Sequence, residues 1–161
     1  MEEMSRADRA EENFLKGYNC CQAVFLAFAD KYGIDEETAL RLSCSFGGGM
    51  SRIRTVCGAV SGMALVCGME TGNTDCTDQK AKTDNYARMR GLAGEFEKQN
   101  GSIICRELLG LDKNAGRTQG AAPSARTEEY YKKRPCKKIV RCAAEILEKE
   151  FCTLTNETSV L

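Results

Sequence analysis

Two stretches of this chain are apolar nearly all round, Cys20 to Tyr32 and about Val56 to Met69, and they constrain its fold more than any other feature. The first carries Ala23, Val24, Phe25, Leu26, Ala27 and Phe28 without a polar interruption. A helix that is apolar on every side has to be covered on every side, so it belongs at the centre of a domain. Neither run reaches the ~20 residues that a membrane-spanning helix needs, and the second is rich in glycine.

The remaining segments read as helices that supply this cover. Met4 to Lys16 is polar and helical. Asn19 is a good N-cap for the first apolar helix, and Gly33 ends it. Asp35 caps a short helix, Glu36 to Ser43, which stops before the break Phe46-Gly47-Gly48-Gly49-Met50. A turn at Gly72 to Asp75 leads to an amphipathic helix, about Asp78 to Gln99, stopped by Asn100-Gly101. Ser102 is expected to cap a short helix through Leu109. Residues 110–127 are rich in Gly, Ala, Thr and Ser and read as a mobile loop. Pro135 suits the first turn of a last helix, with Ile139, Val140, Ala143, Ala144, Leu147 and Phe151 at helical spacing. With two prolines and no strand-like alternation, the expectation is all-α: a compact single-domain bundle of about five to seven helices over residues 1–152, followed by a loose tail, 153–161. A chain of 161 residues buries roughly 70% of its unfolded surface, so it needs no disulfides to hold a core.

Composition narrows the chemistry. The chain has ten cysteines and no histidine. Histidine is the usual general base near neutral pH, so serine–histidine and cysteine–histidine catalysis are excluded, as are zinc sites that need imidazole. Sulfur chemistry is left: thiolates, disulfides or a thiolate-bound metal. The 23 acidic residues balance the 23 basic ones, which argues against nucleic acid as a partner. The charged start Met1-Glu2-Glu3-Met4 does not resemble a signal peptide, and no membrane association is expected. A cytoplasmic protein is the expectation. In that compartment cysteines stay reduced unless they do redox work or bind metal.

Four cysteines share one setting. Cys20 follows the cap Asn19, Cys57 opens the second apolar helix, Cys105 follows Ser102 by three residues, and Cys136 follows Pro135. Each is predicted in the first turn of a helix and heads an apolar stripe, so each should point inward. A helix start carries about half a positive charge and free amide donors, which lowers a cysteine pKa. Lys132, Lys133, Arg134, Lys137 and Lys138 add cations around Cys136. Such an arrangement makes either a reactive thiol pair with reserves or a four-thiolate metal site. Of the others, Cys67, Cys142 and Cys152 read as core-packing residues, because free cysteine behaves as a small hydrophobe. Cys21 is a candidate resolving partner, Cys44 stands beside the glycine run, and Cys76 is expected in an exposed turn.

In order, Gly17-Tyr18-Asn19-Cys20, Phe46-Gly47-Gly48-Gly49-Met50, Cys57-Gly58-Ala59-Val60-Ser61-Gly62, Cys105 and Cys136 resemble the redox-active family named for its C-GCAxxG-C-C cysteine pattern. The resemblance covers about residues 10–150. It implies bacterial or archaeal cytosolic proteins whose four characteristic cysteines correspond to Cys20, Cys57, Cys105 and Cys136. It also implies a likeness to the iron–sulfur domain of split-Soret cytochromes. The chain has no C-x-x-C-H, so the haem part of that likeness does not apply.

Gly47, Gly48 and Gly49, with Gly58, are candidates for bringing backbone amides close to a cofactor. They lack the lysine and Ser/Thr of a P-loop. Gly58 and Gly62 form a small face at i,i+4 that suits close helix packing, within one subunit or in a homo-oligomer. The run Lys132 to Lys138 is a candidate docking patch for an acidic redox partner. Glu36-Glu37 and Glu128-Glu129 read as helix-start charges. The preferred function is a redox protein with an iron–sulfur centre on Cys20, Cys57, Cys105 and Cys136. A metal-free thiol/disulfide protein is the alternative, and a structural zinc protein ranks third.

Overall fold

The computed structural model describes residues 2–152, so the tail 153–161 lies outside the described residues. The fold is all-α. Helix α1 (Arg6–Lys16) opens with a capping box: the Ser5 hydroxyl accepts from the Asp8 amide, and the Asp8 carboxylate accepts from the Ser5 amide. It buries Ala7, Ala10 and Phe14 against α2 (Cys20–Ala29) and against the last helix.

Helix α2 is the central element expected from its composition. It runs into a 3-10 turn, Asp30–Tyr32, closed by Gly33 at φ +68°. Val24 and Phe28 are fully buried. Burial of each such side chain contributes about 1.5–3 kcal/mol. Around α2 stand α1, α3 (Glu36–Cys44), α5 (Gly58–Thr71) and α10 (Cys136–Phe151), and α6 (Gln79–Asn100) packs outside α5 and α10. Gly62 settles how closely α2 and α5 approach. A Cβ there would lie 2.9 Å from Val24 Cβ, so the small face of α5 is used inside the subunit.

The functional end of the bundle is built from shorter pieces: α4 (Gly47–Met50), α7 (Cys105–Leu108), α8 (Ala115–Thr118) and α9 (Glu128–Lys133). Two boundaries differ from expectation. Helix α5 begins at Gly58, so Cys57 is its N-cap and not a first-turn residue. Helix α7 begins at Cys105 with Ile104, not Ser102, as its N-cap, because residues 103–104 are held extended. Cys57 N–H donates to Ile103 O at 2.8 Å and Cys105 N–H to Thr55 O at 2.7 Å, around a Val56–Ile104 bridge. Ser102 instead accepts from the Ile104 amide at 2.9 Å. The segment 110–127, expected to be mobile, contains α8 and is fastened to Arg52 and Arg54.

Candidate redox site

Cys20, Cys57, Cys105 and Cys136 come from four separate stretches of chain and line one cavity of about 420 Å³. Local capping explains most of their placement. The Asn19 side chain accepts from the Gln22 amide and donates to Cys44 O, both at 2.9 Å, which fixes the start of α2 at Cys20. Pro135 is the N-cap of α10, which puts Cys136 at its first position. Cys57 and Cys105 are brought side by side by the extended bridge between residues 55–57 and 103–105.

The glycines make the convergence possible. A Cβ at Gly47 would lie 2.2 Å from Asn19 Cγ, one at Gly49 would lie 2.6 Å from Cys105 Cβ, and one at Gly58 would lie 3.2 Å from Cys20 Cβ. Gly47, Gly48, Gly49 and Gly58 line the cavity, but protein atoms already occupy the space their side chains would take. Their geometry packs cysteine-bearing segments together.

After Gly47 the backbone winds left-handed. Gly48, Gly49, Met50, Ser51, Arg52 and Arg54 all have φ between +49° and +69°. This conformation costs roughly 1–2 kcal/mol per residue that bears a Cβ. Strain of this kind persists where a functional arrangement requires it. Here it carries Arg52 and Arg54 to the cavity.

Arg126 and Arg134 complete a wall of four arginines, and among the described residues no Asp or Glu lines the cavity. Arg54 is 2% exposed. Its Nη1 donates to Cys105 Sγ at 3.6 Å and its Nε to Gln119 Oε1 at 2.9 Å, while its Nη2 has no partner. Arg126 donates to Phe14 O and Tyr18 O, both at 3.0 Å. Arg126 and Arg134 lie 5.0 and 4.7 Å from the Tyr130 ring, in cation–π contact.

The four thiols are not equivalent. Cys20 and Cys136 influence each other's protonation more than any other group does. Cys20 holds the Cys136 thiol below its ordinary pKa, helped by Arg134, Arg126 and Arg54. Cys20 is pushed up by Cys136 and by burial. Burial pushes Cys57 up to about 12, against the pull of the Ala59 and Val60 amides. Burial also raises Cys105, with Arg54 opposing. Among the described residues, no three Cys, Asp or Glu side chains are grouped so as to hold one metal ion.

The other cysteines stand apart from this end of the bundle or at its edge. Cys21 is fully buried, is absent from the cavity lining, and is pushed up to about 12 by burial. Cys44 is exposed at the cavity rim, and Cys76 is exposed. Cys67 is buried beside Thr71, whereas Cys142 and Cys152 are half-buried. The basic run divides. Arg134 faces the cavity, Lys133 pairs with Glu129, and Lys137 pairs with Glu11. Arg52, Arg54, Arg126 and Tyr130 were not among the expected site residues. The only sequence signal for the first two was their position just after the glycine run.

A helical domain that turns four cysteines into one arginine-walled cavity is a cysteine-centred all-α protein. Residues 18–150 match the family model described as "Putative redox-active protein (C_GCAxxG_C_C)", and the chain belongs to that family. Its Cys57-Gly58 has the reverse order of the Gly-Cys in that label. No curated protein and no solved structure matches the chain. No helix among the described residues is long and apolar enough to cross a membrane.

Proposed function

We propose that the cavity is a thiol–disulfide redox centre in which Cys136 attacks and Cys20 resolves. The observation that carries this reading is that Cys20 and Cys136 line the same cavity, with Cys136 at the start of α10 beside Arg126 and Arg134; its pKa is lowered while that of Cys20 is raised. An attacking thiol works best with a pKa near ambient pH, and its partner must be within bonding reach. Cys136 also sits at the first position of the sixteen-residue helix α10, where free amides and the helix dipole favour its anion. The test is mild oxidation of the reduced protein followed by disulfide mapping. One Cys20–Cys136 bond and the loss of two free thiols are expected. Identical thiol counts before and after oxidation would sink the reading.

A second reading, preferred on sequence grounds, is an iron–sulfur centre. Its support is that Cys57 and Cys105 line the same cavity as the pair, which a disulfide does not require. The donor set fits: four cysteines would hold the cluster, and Arg54 with its unpartnered Nη2 would face a negatively charged group. Ligands of a cluster bind separate irons, so they need not meet at one point. When bound, the group would supply one-electron transfer. Iron and sulfide in anaerobically purified protein, lost together in Cys57→Ser, would replace the dithiol reading with this one. A structural zinc site, the third expectation, draws no support from the grouping of the side chains. An acidic partner docking near Lys132 to Lys138 is a further proposal. Its support is the exposure of Lys132 and Lys138 beside the cavity helix.

A further inference from the structure

The arginine wall has no counter-charge. Among the described residues, Arg52, Arg54, Arg126 and Arg134 form no ion pair, whereas Arg6, Arg9, Arg41, Arg88 and Arg141 do; Arg90, Arg106 and Arg117 form none either, but they lie outside the cavity lining. The imbalance is local, since the whole chain is neutral. Arg52 and Arg134 both reach the Ser124 hydroxyl, at 3.4 and 3.3 Å, which holds two like charges on one neutral group. Arg54 is buried with Nη2 unpartnered, and leaving a buried charged donor unsatisfied costs at least ~1–3 kcal/mol. The strained left-handed turn delivers two of these side chains to the cavity. Even ionised, Cys136 would offset only one of the four positive charges.

A guanidinium fork matches a carboxylate or phosphate through paired hydrogen bonds. The cavity, about 420 Å³, falls in the range of small-molecule sites, roughly 300–1,000 Å³. We infer that this wall binds the oxyanion group of a small disulfide, and that the anionic end is anchored by Arg54, Arg52 and Arg134 while its sulfurs face Cys136. The anionic end rests on the arginines alone, and the disulfide end rests on the dithiol reading above.

The exchange balances. The Cys136 thiolate attacks one substrate sulfur. The substrate S–S bond breaks, a mixed disulfide forms on Cys136, and the departing thiolate takes up a proton. Cys20 then loses its proton and attacks the Cys136 sulfur, releasing the second half of the substrate as a thiol. The protein ends with a Cys20–Cys136 bond, and two electrons have passed to the substrate.

The test compares two chromogenic disulfides on the reduced full-length protein: dithiobis(nitrobenzoate), which carries carboxylates, and dithiodipyridine, which is neutral. The carboxylated reagent is expected to react at Cys136 with a saturating rate, competed by inorganic phosphate. In Arg134→Gln and Arg52→Gln, its rate relative to the neutral reagent should fall about tenfold, equivalent to ~1.4 kcal/mol. The ratio cancels any change in thiolate content. Equal ratios in wild type and both variants, without phosphate competition, would overturn the proposal. Calorimetric phosphate binding retained in Cys136→Ser would uphold the anion site even if the dithiol reading failed. No phosphate binding to wild type or to Cys136→Ser would remove the anion site while leaving the dithiol reading intact.

Discussion

The Arg54 guanidinium donates to the Cys105 sulfur at 3.6 Å from a backbone held at φ +66°. Burial raises the Cys105 thiol and Arg54 pulls it back. The strained loop and the thiol cavity are therefore one unit. A side chain that tunes a sulfur depends on a backbone conformation that most residues avoid.

Cys136 should alkylate first among the buried cavity cysteines near neutral pH. Its folded pKa is lowered by Cys20 and then by Arg134, Arg126 and Arg54, so the reactive thiolate is present at lower pH than in the unfolded chain. The same shift contributes stability above the ordinary thiol range, and this is lost as pH falls through the folded value. Cys20→Ala removes the leading cause and should move the labelling midpoint of Cys136 upward. Iodoacetamide rates against pH, read by peptide mass, check this. A Cys136 midpoint at or above the ordinary thiol value would contradict it. Cys57, pushed up to about 12, should label only in strong base.

Gly49→Ala should destabilise the protein by about 2–5 kcal/mol. The positive φ costs roughly 1–2 kcal/mol, and overlap of the new Cβ with Cys105 Cβ and Arg54 Cα adds roughly 1–3 kcal/mol. Those atoms stand at 2.6 and 2.8 Å. Gly101, at φ +91° with nothing within 4 Å, is the control and should show the strain alone. Urea denaturation of the two variants separates the contributions. Equal losses would mean that the close approach at Gly49 is unimportant.

Asn19→Ala should cost about 1–2 kcal/mol and slow formation of the Cys20–Cys136 disulfide. The substitution removes the Gln22 cap and the bond to Cys44 O, both at 2.9 Å. Cys20 would then sit on a frayed helix start. Asn19→Asp keeps the acceptor for the Gln22 amide but cannot donate to Cys44 O, so it should recover only part of the loss. Unchanged disulfide formation in Asn19→Ala would detach the cap from the redox pair.

What was legible in the chain was local. Asn19 before Cys20 and Pro135 before Cys136 announce helix starts within two residues, and both stand where expected. The start of α7 moved because Ile103 and Ile104 pair with a segment that a local pattern cannot see. The glycine run was readable as a break, but its close contacts with Asn19 and Cys105 join distant parts of the chain. The arginine wall was hidden for the same reason. Arg52 reaches it through a left-handed turn, and Arg126 lies at the end of a segment whose composition resembles a tether.

Tyr130 has one more consequence. The chain has no tryptophan and five tyrosines, and Tyr130 lines the cavity between two guanidinium groups. Its near-ultraviolet absorbance and emission depend on those two charges. Occupancy or oxidation at the thiols is therefore expected to change this signal above the background of the other four tyrosines, without a label.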